Sequence, residues 1–200
     1  MIDPSLQPKL LGFAGHRRVT DKDALRLAIR SGLEEMKNLL GGRMIAFCSA
    51  AAGADLIFLR CCVDLRIPAI VILPFSEERF SEDFEDPDEW MLATHLMSVA
   101  LAKYVAPGGK EAPEAYHVVS RIMLEWADAF LFAWDGEPQR GVGGTGETVE
   151  DAALLGIPSR IIDAGSFKAR WNVEAHPERS ARHGFETRKE LLEFFDARFS

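Results

Sequence analysis

The stretch Leu10-Leu11-Gly12-Phe13-Ala14-Gly15 is a short apolar run that ends at a glycine. The same form returns at residues 44–48, 69–73, 129–134 and 160–162. Continuous apolar runs without alternation are typical of strands that are covered on both faces. Helix-like segments separate these runs, so the pattern predicts a parallel sheet with right-handed crossovers. We expect an α/β protein, a three-layer sandwich with a mainly parallel central sheet of about five strands.

The segments between the strands carry helical patterns. Helices are predicted at residues 25–40, 54–65, 90–101 and 113–126, and a short strand at residues 104–105 is left open. After Asp163 the pattern weakens until an aromatic last helix. The expected division is a main domain at residues 1–163 and a C-terminal extension at residues 164–200. The last helix packs on the same domain or on a second copy of the chain, and the sequence leaves both open.

Composition limits the partners. The 200 residues carry 23 Lys and Arg against 31 Asp and Glu, a formal net charge of −8, and 48% are hydrophobic. A field of this sign repels polyanions, so we expect no bulk nucleic-acid binding. The longest apolar stretch, residues 67–75, is far shorter than the roughly 20 residues that a membrane span requires, and the chain does not open like a secretion signal. We therefore expect a cytoplasmic protein with no membrane partner.

In an open parallel sheet the ligand crevice forms beyond the carboxyl ends of the strands, so the loops there carry the candidate site. The loop after the first strand reads Gly15-His16-Arg17-Arg18. A guanidinium at that place suits phosphate or carboxylate, because it offers two parallel donors. The alternative is that these cations only pair with surface acids.

Two further loops contribute candidate ligand-binding residues. Ser49, Ala50, Gly53 and Asp55 belong to a small-residue loop, in which free N–H groups at a helix start can cradle a phosphate. The alternative is a tight strand-to-helix turn in which Asp55 serves the helix dipole. Arg79 follows the third strand, and it either reaches a ligand or forms a surface ion pair.

The strongest signal is the glycine-rich loop after the strand at residues 129–134. Four glycines among residues 141–146 directly precede a helix start, which describes a backbone that turns sharply and stays uncovered by side chains. The candidate ligand residues of this loop are Asp135, Gly143, Gly144, Thr145, Gly146 and Glu147. Carboxylates are unfavourable beside a phosphate but accept hydrogen bonds from sugar hydroxyls, so Glu147 and Glu150 favour a ribosyl ligand. The competing interpretation makes Glu147 a helix-dipole partner and Glu150 a solvated helix residue.

No motif demands a metal or a cofactor. The five histidines show none of the paired spacings of a metal site, and the adjacent Cys61-Cys62 lacks a ligand spacing. We therefore expect neither.

Residues 12–17, 49–55 and 134–147 together resemble the SLOG superfamily, the Rossmann-like group that includes the DNA-processing protein A family and the Lonely Guy phosphoribohydrolases. The likeness lies in a Gly-His-Arg start after the first strand, a Gly-Ala-Asp turn, and an Asp-Gly loop with Gly-Gly-Thr before a helix. It implies a Rossmann-like fold and a pocket for nucleotides or nucleotide-derived ligands. For the hydrolase branch it also implies a catalytic glutamate, here Glu150, and an assisting arginine, here Arg121.

Three functions remain open. The first is a sensor or ligand-binding module for a nucleotide or a nucleotide-derived small molecule. The second is an N-glycosidic, phosphoribohydrolase-like enzyme that acts on a nucleoside monophosphate through Glu150 and Arg121. The third is a protein-interaction scaffold, with the acidic stretch at residues 82–89 and the aromatic last helix as contact surfaces.

Overall fold

The computed structural model describes residues 8–41, 43–107, 112–137 and 144–174. The elements in chain order are β1 (Lys9–Gly15), α1 (Lys22–Leu40), β2 (Met44–Cys48), α2 (Ala54–Asp64), β3 (Ala69–Leu73), α3 (Glu77–Ser81), α4 (Pro87–Ser98), β4 (Ala102–Val105), α5 (Ala112–Trp126), β5 (Ala129–Trp134), α6 (Thr145–Leu154), β6 (Ser159–Asp163) and β7 (Ala169–Val173). Each of the five predicted strands begins and ends within one residue of its expected position.

The strands form one sheet in the order β4-β3-β2-β1-β5-β6-β7, which counts seven strands within the described residues. The central strand β1 pairs in parallel with β2 on one side and with β5 on the other. The other described pairs are also parallel, apart from the antiparallel pair of β6 and β7. The predicted α/β, Rossmann-like class with a mainly parallel sheet is confirmed. The strands beyond the expected five are the two at the sheet edges, β4 and β7.

Helices cover both faces of the sheet, which is why its central strands β1, β2, β3 and β5 are almost wholly apolar. On one face, Leu33 of α1 and Phe58 of α2 belong to a buried cluster with Phe13 of β1. On the other, Met123 of α5 belongs to a second cluster with Phe130 of β5. Each such side chain contributes about 1.5–3 kcal/mol when it is fully buried. The three layers thus hold the sheet between two apolar cores.

A buried acid fixes the pairing of the two strands that carry the site. The Leu10 N–H donates to Asp128 Oδ2 at 2.8 Å, and the Asp128 N–H donates to the Leu10 carbonyl at 2.8 Å. This pair sits at the amino end of β5 and sets a register in which Gly15 lies opposite Ala133 at the carboxyl end. The loops that follow β1 and β5 therefore start side by side.

Part of the predicted C-terminal extension belongs to the sheet. In β7, the Asn172 side-chain amide donates to the Val149 carbonyl at 3.3 Å and to Ser159 Oγ at 3.2 Å. The predicted last helix falls within residues 175–200, which lie outside the described residues. The division of the chain after residue 163 stays a prediction.

Candidate functional site

A cavity of about 770 Å³ opens at the carboxyl ends of β1 and β5. The strand order reverses between these neighbours, because β2 to β4 extend from one side of β1 and β5 to β7 from the other. Open α/β sheets bind ligands at such a switch point, and cavities of roughly 300–1,000 Å³ suit small molecules. The cavity is therefore the best placed ligand site in the described part of the chain.

The loops after β1 and β2 are locked together at Gly53. This residue has φ +83° and ψ −119°, and a Cβ atom there would lie 2.1 Å from the Arg17 carbonyl oxygen. Glycine alone fits that position. The Ala54 N–H donates to the His16 carbonyl at 3.0 Å, which ties the start of α2 to the loop after β1. Gly53, with Ala50 at φ +57°, thus shapes the cavity wall although neither residue lines the cavity.

Asp55 lines the cavity although it is only 4% exposed. Its Oδ2 accepts hydrogen bonds from the Ser49 hydroxyl at 2.7 Å and from the Ala51 N–H at 3.2 Å. Burial raises the pKa of Asp55 to about 6, while these hydrogen bonds and the charge of Arg17 oppose the rise. Asp55 therefore changes charge not far below neutral pH, and it offers a ligand a donor when protonated and an acceptor when ionised.

His16 and Asp135 join the loops after β1 and β5 across the switch point. His16 Nε2 lies 3.0 Å from Asp135 Oδ1 and 3.2 Å from the Asp135 backbone nitrogen; it donates to the carboxylate when it carries a proton and accepts from the N–H when it does not. Asp135 Oδ1 also accepts from the Glu137 N–H at 3.0 Å. Partial burial opposes ionisation, but the hydrogen bonds from Glu137 and His16 outweigh it and hold the pKa of Asp135 below its usual value. Asp135 thus presents a stable carboxylate to the cavity.

Two helices begin at the cavity with glycine N-caps. Gly53 precedes α2 and Gly144 precedes α6, and neither cap gives its helix a side-chain hydrogen bond. The other N-caps that the structure describes, Asp21, Ser76 and Asp86, do supply that bond to α1, α3 and α4. The first N–H groups of a helix lack partners within it and carry partial positive charge. The Ala54 N–H of α2 already donates to the His16 carbonyl, so the later N–H groups of the first turn of α2 and those at the start of α6 are the ones that offer donors to an anion in the cavity.

Arg17 is held at the cavity by an aromatic ring and an acid. Its Cζ lies 4.9 Å from the centre of the Tyr116 ring, and its Nη2 lies 3.8 Å from Asp83 Oδ2. The Tyr116 hydroxyl donates to the same Asp83 oxygen. Burial, and then this hydrogen bond, raise the pKa of Tyr116, so the phenol stays protonated. The Arg17 side chain is 45% exposed, and 3.8 Å is longer than a charge-assisted hydrogen bond, so the guanidinium can turn to a ligand.

The structure brings most of the predicted ligand residues together. Those that line the cavity are Gly15, His16, Arg17, Ser49, Asp55, Asp135, Gly144, Thr145 and Gly146. Gly143 lies outside the described residues. These residues share one cavity, while their roles in binding stay predictions.

Besides Ala50 and Gly53, four predicted residues lie elsewhere than in the described lining of the cavity. Arg79 Nη1 lies 3.1 Å from Glu82 Oε2 and 3.4 Å from Asp83 Oδ1, as in the surface-pair alternative. Glu147 Oε1 lies 3.0 Å from His117 Nδ1 of α5. Glu150 and Arg121 are exposed on α6 and α5. The geometry of the cavity therefore gives the hydrolytic assignment of Glu150 and Arg121 no support.

Sequence reasoning missed the contribution of α5. Tyr116, Ser120 and Met123 of this helix line the cavity, yet in the sequence they follow an ordinary amphipathic period. It also missed Asp83, which stands in an acidic stretch and so looks solvated. The order of the strands in the sheet is the signal that could have found α5, because it carries this helix to the switch point.

The described residues contain no group of three or more His, Cys, Asp or Glu side chains that could hold a metal ion. Within those same ranges, every helix is too short or too polar to cross a membrane.

No protein-family profile and no curated protein sequence matches the chain. Solved structures do resemble it. DNA processing protein A from Streptococcus pneumoniae matches with a TM-score of 0.52 and 15% identity, over 78% of this chain and 50% of that one. DNA processing protein A from Helicobacter pylori matches with a TM-score of 0.53 and 15% identity, over 98% of this chain and 84% of that one. The chain thus spans half of the pneumococcal protein, and at this identity the likeness shows the fold alone.

The prediction that excludes nucleic acid as a partner is wrong. The Helicobacter pylori protein, which has the same fold, is described for its single-stranded DNA binding mode. Net charge is a property of the whole molecule, whereas a nucleic acid meets one local surface. Here His16, Arg17 and Arg18 line the cavity of a chain whose net charge is −8. The overall charge therefore gives no ground for the exclusion.

Proposed function

We propose that the chain is a SLOG-type binding module whose cavity takes a phosphorylated nucleotide unit. The unit is either a free nucleotide or nucleotide-derived small molecule, or one nucleotide of a single-stranded DNA. One observation carries the proposal: the starts of α2 and α6, which have no side-chain cap, meet Arg17 at one cavity on the switch point of the sheet. Helix N–H groups and a guanidinium are the donors that suit a phosphate.

The remaining groups of the cavity suit the rest of a nucleotide. The carboxylate of Asp135 and the buried carboxyl of Asp55 can accept hydrogen bonds from sugar hydroxyls. Trp134 also lines the cavity, and the hydrogen bond from its Nε1 to the Glu137 carbonyl at 3.0 Å fixes the ring. An indole in this position offers a flat apolar surface to a base.

The two sources of the nucleotide unit share this chemistry, so experiment must separate them. The size of the cavity supports a small ligand. The likeness to the Helicobacter pylori protein supports single-stranded DNA. A titration calorimetry panel of nucleoside mono-, di- and triphosphates, dinucleotides, cyclic dinucleotides and short single-stranded oligonucleotides covers both. Mass spectrometry of each mixture then shows whether the ligand stays intact, and free base would indicate the hydrolytic alternative.

The variant Arg17→Gln tests where such a ligand binds. We expect it to weaken binding of any phosphorylated ligand by about tenfold or more, because a hydrogen bond to a charged group contributes about 1.5–3 kcal/mol. Arg30→Gln is the matched control, since Arg30 pairs with Glu34 at 3.5 Å on α1 and does not belong to the described lining of the cavity. Wild-type affinity in Arg17→Gln, or no binding across the whole panel, would contradict the proposal.

A further inference from the structure

Asp83 stands beside the proposed phosphate-binding cation. It lies between α3 and α4, and its side chain is only 16% exposed. The Tyr116 hydroxyl holds Oδ2, which is the oxygen 3.8 Å from Arg17 Nη2. Arg79 Nη1 lies 3.4 Å from the other oxygen, Oδ1. The carboxylate is therefore anchored from two sides and cannot easily move away from Arg17.

The charges of this cluster already balance without a ligand. Arg17 and Arg79 supply two positive charges, and Asp83 and Glu82 supply two negative ones. Any anion that binds Arg17 therefore leaves the cluster negative, and it approaches a carboxylate that burial shields from much of the salt. The cost of this approach rises with the charge of the anion.

Phosphate groups differ in that charge. A phosphomonoester at the end of a nucleotide carries about −1.5 to −2 at neutral pH, because its second proton leaves near pH 6, whereas a phosphodiester carries −1. We propose that Asp83 is a specificity-determining residue that makes Arg17 select a singly charged phosphodiester over a doubly charged terminal phosphate. This inference rests on the proposed binding of a nucleotide phosphate at Arg17. It narrows the ligand class to phosphodiesters, the linkage of both cyclic dinucleotides and single-stranded DNA.

The test compares two ligands that differ by one charge. Titration calorimetry at pH 7.5 measures the affinity of each ribonucleoside 5′-monophosphate and of its phosphate methyl ester, with wild-type protein and with Asp83→Asn. Asparagine keeps an acceptor for the Tyr116 hydroxyl but removes the charge. We expect the wild type to prefer the methyl ester, and Asp83→Asn to gain about fivefold more affinity for the monophosphate than for the ester.

Glu82→Gln is the matched control, because it removes the same charge from the neighbouring residue. The Glu82 side chain is 66% exposed and lies 3.1 Å from Arg79, so solvent screens it. We expect this variant to keep the wild-type preference. Melting temperatures check that each variant folds, and Asp83→Ser repeats the test if asparagine is not tolerated.

The outcomes separate the two proposals. If Asp83→Asn gains the same affinity for the monophosphate as for the methyl ester, the role of Asp83 is overturned and the binding site stands. The same follows if Glu82→Gln loses the preference for the methyl ester as fully as Asp83→Asn does. A wild type that prefers the monophosphate would also overturn it. If neither ligand binds the wild type or either variant, and the panel of nucleotides and oligonucleotides shows no binding as well, the proposed function falls and the role of Asp83 with it.

Discussion

At the scale of the residue, the backbone conformation of Gly53 helps to define the cavity, in addition to the side chains that line it. Gly53 and Gly41 both have positive φ, at +83° and +62°. They differ in their surroundings, because a Cβ at Gly53 meets the Arg17 backbone whereas a Cβ at Gly41 meets nothing within 4 Å. The two residues therefore separate the cost of the conformation from the cost of the contact.

We predict that Gly53→Ala destabilises the protein by more than about 3 kcal/mol, because it combines backbone strain with a clash against a carbonyl oxygen. Gly41→Ala carries strain alone and should cost about 1–2 kcal/mol. Urea unfolding of both variants measures the difference. Equal costs would show that the loops after β1 and β2 can separate without loss.

Asp55 gives the stability of the protein a dependence on pH. The pKa of Asp55 is about 6 in the folded protein, against an ordinary value of 3.8 that applies to the unfolded chain. Between these two pH values the native protein therefore holds a proton that the unfolded chain has released. The contribution of Asp55 to the free energy of unfolding therefore falls as pH rises from about 4 to 6, by about 3 kcal/mol in all.

Asp55→Asn should remove this contribution, while its amide oxygen still accepts from Ser49 or Ala51. We predict that the variant gains stability relative to the wild type as pH rises from 4 to 7. Urea unfolding at several pH values measures this. Two curves that stay parallel over the range would argue against a raised pKa for Asp55.

The site residues that sequence reasoning found are those fixed by local chain direction. Arg17, Ser49 and Asp135 follow strands, and the end of a parallel strand determines where they lie. Glu147 was predicted to contact the ligand, but its carboxylate lies against His117 of α5. The orientation of a helical side chain depends on the neighbouring helix, which the local sequence does not show. Asp83 owes its place to Tyr116, 33 residues away, and a single sequence carries no trace of that contact.

At the scale of the element, the start of α6 links stability to binding. Gly144 has φ −82° and ψ 168°, values that any residue adopts, so glycine is not required there by conformation. A side chain at this N-cap could satisfy the helix N–H groups that we assign to the ligand.

We predict that Gly144→Ser stabilises the protein by a few tenths of a kcal/mol, or about the difference between serine and glycine caps. It should also weaken binding of a phosphorylated ligand by about fivefold, because the serine hydroxyl competes for a helix donor. Gly144→Ala adds a side chain without an acceptor and is the control. If alanine weakens binding as much as serine does, bulk rather than capping is responsible.

The pattern that found the central strands indicated the edge strand β4 only as an open possibility at residues 104–105, and it did not indicate the other edge strand, β7. In β4, Lys103, Tyr104 and Val105 are exposed, and in β7 the run Ala169–Arg170–Trp171 is exposed as well. An edge strand buries little, so its sequence need not be apolar, and its pairing follows from the neighbour that is already in place. The apolar run is thus a signal of burial rather than of strand formation.

At the scale of the whole molecule, ligand binding raises the free energy of unfolding. A ligand that binds only the native state adds about 2.7 kcal/mol of stability when it is present at 100 times its dissociation constant. For a chain of this length we predict a rise in Tm of about 5–10 °C with the phosphorylated ligand that binds best. Differential scanning calorimetry measures it, and Arg17→Gln should show little rise at the same concentration. An equal rise in both proteins would place the ligand at another site.

The bond between Leu10 and Asp128 also bears on how the chain is made. These partners are 118 residues apart, and β1 has no neighbour on that side until β5 follows Asp128 out of the ribosome. Translation at about 5–20 residues per second spaces their emergence by roughly 6–24 s. During that time the central strand of the future sheet keeps one edge open to pairing with other chains. The cavity, which needs β5 for one wall, is completed only after that edge closes, so a ligand that binds there can protect the finished protein but not the nascent one.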